Sequence, residues 1–463
     1  MKLYNIGSGR EKVSLVEAIF QGLATDGSLF MPLGRHQIEE RIIREIQHYT
    51  WPEIALEIAH TLIGKDIPET ALRDIIEKSL NFPVPLTFIN DDTAVLELFH
   101  GPTMAFKDFG ARFMAGLMNF FLKERKEKLH ILVATSGDTG GAVAAGFHKT
   151  SIKVSILYPS GKISPLQEQQ LTTWGDNIEA LEIEGTFDDC QALVKKAFTD
   201  PDLRHLSLSS ANSINIARLI PQSFYYFEAY RQAKQKGCEN VVFSVPCGNF
   251  GNLTAGLWAK KMGLPVQYFL AATNINRVVP DYLRSGIFTP KKSIPTLSNA
   301  MDVGNPSNFS RMLEFYSSTW NKFGKNGSTW NHNTKEEAKF TPETASAQGV
   351  WKKLREEIKG FSFTDAETLQ GINTFRKRYN YLFDPHGTIA MMAWEKEKQK
   401  NLKGNLGIVL ETAHPAKFME TIKMATGTYP EIPEQLKSFM NKEKKSHKLQ
   451  ADYKALKAHL LST

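Results

Sequence analysis

The apolar residues of this chain change their spacing near residue 91. Before that point, segments 13–23, 39–48, 51–63 and 69–80 repeat apolar residues three or four apart, which predicts amphipathic helices. Asn81, Pro83 and Pro85 then interrupt the pattern, and a domain edge is expected near Asp91. Further on, short apolar runs at 130–135, 153–158, 178–183, 205–209, 241–245, 266–272 and 406–410 read as strands. Helical patterns lie between most of them, at 105–122, 140–148, 187–198 and 213–234. Strand, helix, strand at this pitch predicts an α/β fold with parallel sheets covered by helices on both faces. Ligands of such sheets bind outside the carboxyl ends of the strands. The stretch 319–333, rich in Asn, Gly, Ser, Lys and Trp, reads as a surface loop or insertion. The lysine-rich tail 441–457 shows helical spacing at Tyr453, Leu456 and Leu460, which predicts a solvated, half-packed helix.

A chain of 463 residues is long enough for two or three domains. Its 42% hydrophobic and 23% charged residues are the balance of a globular protein in water. The net charge of +7 serves solubility and attraction for anionic ligands, and no interleaving of aromatic and basic residues points to nucleic acid as a partner. Cys190, Cys238 and Cys247 are too far apart for a metal site or a disulfide framework, so no metal and a reducing compartment are expected. Glu17 interrupts the best candidate for a signal segment, and no run approaches a membrane span. A cytoplasmic location with no membrane partner is the expectation.

Four segments carry candidate chemistry, each with a plainer alternative. In 100–110, Gly101, Pro102 and Thr103 form a turn that can start a helix, and Lys107 falls in its first turn among apolar neighbours. Desolvation there lowers an amine's pKa and makes it nucleophilic; the alternative is a lysine snorkelling from a helix surface. In 240–252 a strand runs into Gly248, Asn249, Phe250, Gly251 and Asn252 and then into a helix, which is the layout of a phosphate cradle. Neither the dinucleotide-binding fingerprint nor a P-loop is present, and many such turns hold no ligand. The turn from Thr135 through Ser136, Asp138 and Thr139 to Gly141 offers hydroxyls and N–H groups to an anion such as a carboxylate, or merely caps a helix. Thr412, directly after the strand 406–410, can hydrogen-bond a heterocyclic nitrogen without protonating it, or simply ends a strand.

A lysine, a phosphate cradle, a carboxylate-binding loop and a strand-end hydroxyl are together the parts that pyridoxal phosphate needs. Their order resembles the second fold type of pyridoxal-phosphate enzymes, the tryptophan-synthase-β-like group. More narrowly, the chain resembles threonine synthases of the longer, bacterial and fungal branch. The resemblance runs from Met1–Asn5 through 161–167, 210–215 and 297–302 to Ala413, His414, Pro415, Ala416, Lys417 and Phe418.

That resemblance implies two parallel-sheet subdomains with the active site between them, over residues 93–425. An N-terminal mainly helical domain, 1–92, precedes them, and a C-terminal helical tail, 426–463, follows. It implies conversion of O-phospho-L-homoserine and water to L-threonine and phosphate. Lys107 matches the Schiff-base lysine, Gly248–Asn252 the cofactor-phosphate loop and Thr412 the partner of the pyridine nitrogen. Asn212, Ser213 and Arg218 match positions that hold the substrate phosphate, with Thr139 and Ser136 beside them. Asp138 stands where shorter members place an asparagine near the phenolic oxygen, so it is expected to be protonated or turned away from the ring. A monomer or homodimer is expected. A phospholyase ending at a keto acid is the nearest alternative activity. A serine or threonine dehydratase would leave Arg218 without a phosphate, and a non-catalytic relative would have no need of Lys107.

Overall fold

Side-chain caps fix where the first helices begin. The computed structural model describes residues 1–7, 10–34, 36–125, 128–317, 345–400 and 404–462. In it Ser14 and Glu17 form a reciprocal capping box, so the helix expected over 13–23 is confined to Leu15–Gln21 and closes at Gly22. The residues just before it join a three-stranded antiparallel sheet in the order Lys12–Ser14, Lys2–Asn5, Phe30–Pro32. Thr50 and Glu53 cap Trp51–Ile63 in the same way, and Glu69–Ser79 follows. The mainly helical N-terminal domain thus needs two corrections. It contains a small sheet, whose strands are too short to show a period. Its apolar side chains, among them Leu3, Leu15, Ile54 and Leu72, share one core with the central helices Lys107–Arg125 and Ile216–Gln235 rather than closing a core of their own.

A six-stranded sheet lies beyond, in the order Ile358–Ser362, Val266–Thr273, Val241–Pro246, Leu406–Glu411, Thr93–Glu97, Leu86–Asn90. All its pairs are parallel except the last. The expected edge near Asp91 falls in the hairpin turn between Leu86–Asn90 and Thr93–Glu97. Pro83 and Pro85 therefore mark the entry to this sheet, and the chain crosses the expected boundary as a hairpin. A second sheet is wholly parallel, in the order His447–Gln450, Ile178–Glu184, Lys153–Pro159, His130–Ala134, Leu208–Ser210. Its interior strands are buried along nearly their whole length, as parallel strands covered by helices on both faces must be.

Two further expectations shift. The strand read at 205–209 lies at Leu208–Ser210, because Asp200 caps a 3-10 turn over Pro201–Leu206 and the chain reaches extended backbone only after Ser207. The tail is only partly helical. Glu434–Met440 and Tyr453–Ser462 are helices, but His447–Gln450 between them is an edge strand alongside Ile178–Glu184. Leu456 and Leu460 are buried against Cys190, Leu193 and Val194, while Lys444 bonds Glu182 at 2.8 Å. Packing and ion pairing against the sheet thus override the weak local preference of this polar segment. The stretch 319–333 lies outside the described residues, among which no helix is long and apolar enough to cross a membrane.

Candidate active site

Lys107 is the first residue of its helix, and a backbone junction fixes its position. Ala105 and Ala413 form an antiparallel bridge, Phe106 N–H donates to the Thr412 carbonyl at 2.8 Å, and His414 N–H donates to the Met104 carbonyl at 3.1 Å. Asp108 closes the turn in front of the helix, accepting from the N–H and the hydroxyl of Thr103, each at 2.8 Å. Lys107 and Thr412, far apart in sequence, are therefore held together by main-chain hydrogen bonds. Solvent still reaches the Lys107 side chain, but the surrounding protein is dense. Burial pushes its ammonium below the usual lysine range; Asp138 partly opposes this, while Lys417 and Arg218 add to it.

Asp138, the first residue of the helix after the strand His130–Ala134, is held in an ion pair. Its carboxylate accepts from Lys417 Nζ at 2.7 Å and from Gln167 Nε2 at 3.0 Å. Burial alone would raise its pKa, but the charges of Lys417 and Lys107 and these hydrogen bonds hold it well below the usual carboxylate range. Lys417 also donates to the Thr103 carbonyl at 2.9 Å, so one ammonium ties together the turns around 103, 138 and 415. Its own turn, Pro415–Phe418, is capped by the ring of His414, which accepts from Ala416 N–H. Gly137 has φ 132°, and a Cβ there would lie 2.6 Å from the Gln167 side chain, so only glycine lets Gln167 reach Asp138.

On the other sheet, Val241–Pro246 leads through Gly248 and Asn249 into the helix Gly251–Lys261. A Cβ on Gly248 would lie 2.5 Å from the Ala300 carbonyl. Phe250 is held left-handed at φ 60° and is buried, so packing offsets its backbone strain. The Asn252 side chain donates to the Pro246 carbonyl at 2.8 Å and closes the turn. Leu253 N–H in the first turn donates to Asn252 Oδ1 at 2.9 Å, and the start of the helix carries the positive end of its dipole. Asn249 Nδ2 donates to Ser213 Oγ at 2.7 Å, which joins the ends of the two sheets.

Asn212 follows the strand Leu208–Ser210 and donates to the Ala134 carbonyl at 2.9 Å. Arg218 is 3% exposed. Its guanidinium bonds the Ala211 carbonyl and packs against Gly110 of the lysine-bearing helix, while its Nε has no partner. Burial pulls it down to about 10, with Asp108 opposing. No ion pair of Arg218 with a carboxylate is present among the described residues. Ser136 and Thr139 are half-buried in a turn shaped by Thr135 Oγ1, which accepts from the N–H groups of Gly137 and Gly140. No cluster of His, Cys, Asp or Glu suited to a metal is found among the described residues.

This arrangement fits pyridoxal phosphate. It offers a depressed amine, an N–H cradle at a helix start, and a buried hydroxyl at Thr412 whose neighbour Glu411 is turned aside to accept from Asp384 N–H at 2.6 Å. The whole chain matches known proteins on the same terms. Residues 6–80 match the model of the threonine synthase N terminus, 93–323 that of pyridoxal-phosphate dependent enzymes, and 388–460 that of the threonine synthase C-terminal part. The threonine synthase of Escherichia coli K12 is 41% identical over 467 residues, covering 100% of both chains. This chain belongs to the threonine synthase family. Solved threonine synthases agree: that of E. coli superposes with a TM-score of 0.86 at 40% identity over 100% of both chains. The yeast structure gives 0.90 at 32%, covering 99% of this chain and 98% of that one. A pyridoxal-phosphate-bound one from Brucella melitensis gives 0.87 at 33% with the same coverage. Membership makes the chain a pyridoxal-phosphate-dependent lyase of threonine biosynthesis.

Four polar residues of the site were not singled out from sequence: Lys417, Gln167, Asn308 and Arg311. Lys417 had a faint signal, a lysine among apolar residues five positions after Thr412. Gln167 had another, the box it forms with Ser164 at a helix start. Asn308 and Arg311 had none, since apart from each other their partners lie far away in the chain.

Proposed function

We propose that this chain converts O-phospho-L-homoserine and water to L-threonine and phosphate, with Lys107 as the proton carrier and Arg218 as the holder of the substrate phosphate. The observation that carries the reading is Arg218, a buried guanidinium with an unpartnered Nε beside the lysine-bearing helix. Bound pyridoxal phosphate supplies an electron sink for carbanions next to the substrate amine. Gly248–Asn252 would hold its phosphate, Thr412 its ring nitrogen and Lys107 its carbonyl carbon. Asp138, kept ionised by Lys417, would meet the phenolic oxygen as one half of a neutral pair, so its charge would not repel that oxygen. Displaced Lys107 takes the proton from Cα and then works at Cβ, a role that a lowered pKa favours. Asn212, Ser213, Thr139 and Ser136 offer donors to the anionic ends of the substrate. Three free cysteines suit a reducing compartment, which supports a cytoplasmic location, tested by fractionation; a monomer or homodimer is tested by sedimentation.

Incubation with O-phosphohomoserine decides the reaction. Threonine with one phosphate per turnover is expected, whereas 2-oxobutyrate would mean a phospholyase. Arg218→Ala removes charge-assisted hydrogen bonds worth about 1.5–3 kcal/mol, so kcat/KM for O-phosphohomoserine should fall about 10- to 150-fold. Binding of a phosphate-free amino acid, read from the cofactor spectrum, should stay nearly intact. Equal losses with both ligands would place Arg218 in support of the fold instead.

Thr412→Asp replaces a neutral hydroxyl by a carboxylate, which keeps a proton on any nitrogen it faces. A higher ratio of transamination to threonine formation is expected, measured as keto acid per threonine. An unchanged ratio with cofactor bound would remove Thr412 from that position.

A further inference from the structure

Arg311 is fully buried, and every acceptor it meets is neutral. Its Nε donates to the Phe30 carbonyl at 3.1 Å. One terminal nitrogen donates to the Ser213 carbonyl at 3.3 Å and to Asn308 Oδ1 at 2.7 Å, and the other to the Ile214 carbonyl at 2.6 Å. Burial pulls its pKa down to about 9, and no neighbouring charge opposes the shift. A charge taken out of water without a counter-ion is costly, and a protein normally pairs it. Among the described residues no carboxylate pairs with this one.

The side chains in front of Arg311 face the phosphate turn. Asn308 gives its carbonyl oxygen to the guanidinium and its amide nitrogen to Ser213 Oγ at 3.3 Å. The same nitrogen lies 3.5 Å from the position a Cβ on Gly251 would take, at the start of the helix Gly251–Lys261. The Asn308 dipole is thus aligned from the buried cation toward the helix N-terminus. Ser213 Oγ also accepts from Asn249 Nδ2 at 2.7 Å, so both of its lone pairs are used and its single proton remains to donate to a ligand. Asn249 in turn accepts from Ser307 N–H at 2.5 Å, next to Asn308 in the chain.

We infer that Arg311 is the buried counter-charge of the phosphate held at Gly248–Asn252, acting through Asn308 and Ser213 as a positioning residue. A phosphate monoester dianion supplies the charge that Arg311 lacks, so the cradle is electrically complete only when the anion is present. This also explains why so polar a set of bonds is buried at the junction of two sheets and the N-terminal segment: the guanidinium fastens Phe30, Ser213 and Ile214 around the turn. The inference rests on the reading that this turn takes the cofactor's phosphate.

The test titrates the full-length chain, freed of cofactor, with pyridoxal phosphate and separately with pyridoxal, following the visible absorbance of the lysine-linked cofactor. Arg311→Gln keeps hydrogen-bond donors without the charge. Asn308→Asp keeps Arg311 in place but cancels its charge with a carboxylate. Each is expected to weaken pyridoxal phosphate at least about tenfold, about 1.4 kcal/mol, and to leave pyridoxal within about twofold, well under that energy. Arg311→Lys should keep most of the preference for the phosphorylated form. An unchanged preference in either neutralising variant that folds overturns the inference, whether or not KM for O-phosphohomoserine moves. A preference lost equally in Arg311→Lys also overturns it, because charge would not be the agent. If the unsubstituted chain itself binds both forms equally, the failure lies with the phosphate-turn reading.

Discussion

Lys107→Ala is expected to abolish covalent attachment of the cofactor and to cut threonine formation by at least about 10²–10⁴-fold, the usual contribution of a positioned proton carrier. The site holds two lysines, Lys107 half-buried and Lys417 buried, so the choice between them needs a physical reason. Lys417 is engaged by Asp138 at 2.7 Å and the Thr103 carbonyl at 2.9 Å. A nitrogen held by two such acceptors is poorly placed to attack a carbonyl. Lys107 opens its helix in a crowded cleft where burial and the charges of Lys417 and Arg218 favour the free amine. Borohydride reduction of the loaded protein followed by peptide mapping should label Lys107 alone. A label on Lys417 would reverse the assignment. The pH dependence carries the same sign: because the Lys107 pKa is lowered, covalent loading should set in at a lower pH than an ordinary lysine allows.

The second large effect concerns stability. Lys417→Met leaves the buried Asp138 carboxylate without its main partner, and breaking a buried pair from one side costs about 3–5 kcal/mol. In the unsubstituted protein the Asp138 pKa is depressed. Its contribution is therefore fully present above the unfolded value of about 3.9 and is lost only as the pH falls below that, toward the folded value. Without Lys417, burial dominates and the carboxyl pKa rises. The variant's deficit should then grow as the pH rises above the unfolded pKa and shrink as it falls toward and below it, because the ionised form is the costly one. Urea midpoints of cofactor-free protein between about pH 5 and 8 measure this, within the range where the raised carboxyl titrates. Adding Asp138→Asn removes the orphaned charge and should recover part of the loss. A deficit that does not change with pH, together with no rescue, would mean that Lys417 contributes packing alone.

Asp138 also shows where sequence reasoning stopped. From the chain alone it looked misplaced, a carboxylate in a position suited to a neutral amide. Protonation and turning away were the two local remedies. The structure adds a partner that neither remedy foresaw, a lysine from a distant turn, and no spacing rule links position 417 to position 138. Ser213 tells a similar story. Read beside Arg218 as part of a substrate-phosphate set, it bonds Asn249 of the other sheet's turn, so it stands at the junction of the two turns. The hairpin at Asp91 and the strand His447–Gln450 were missed for another reason. Strands of four or five residues carry too few alternations to be told from loops, and a polar edge strand has only one neighbour to pack on.

The sequence by itself determined the parallel α/β architecture, because long apolar runs alternating with helical periods can bury themselves in few other ways. It also determined the lysine, the glycine-containing turn and the strand-end hydroxyl. Each of these owes its chemistry to a local feature: a helix start, a tight turn, a strand terminus. Only the tertiary structure decided which charges meet. Lys417 on Asp138, and Arg311 behind Asn308 without a carboxylate, depend on segments far apart in the chain arriving at one rim of two sheets. Electrostatic partnership is set by distance and burial in space, and local patterning carries almost no record of either.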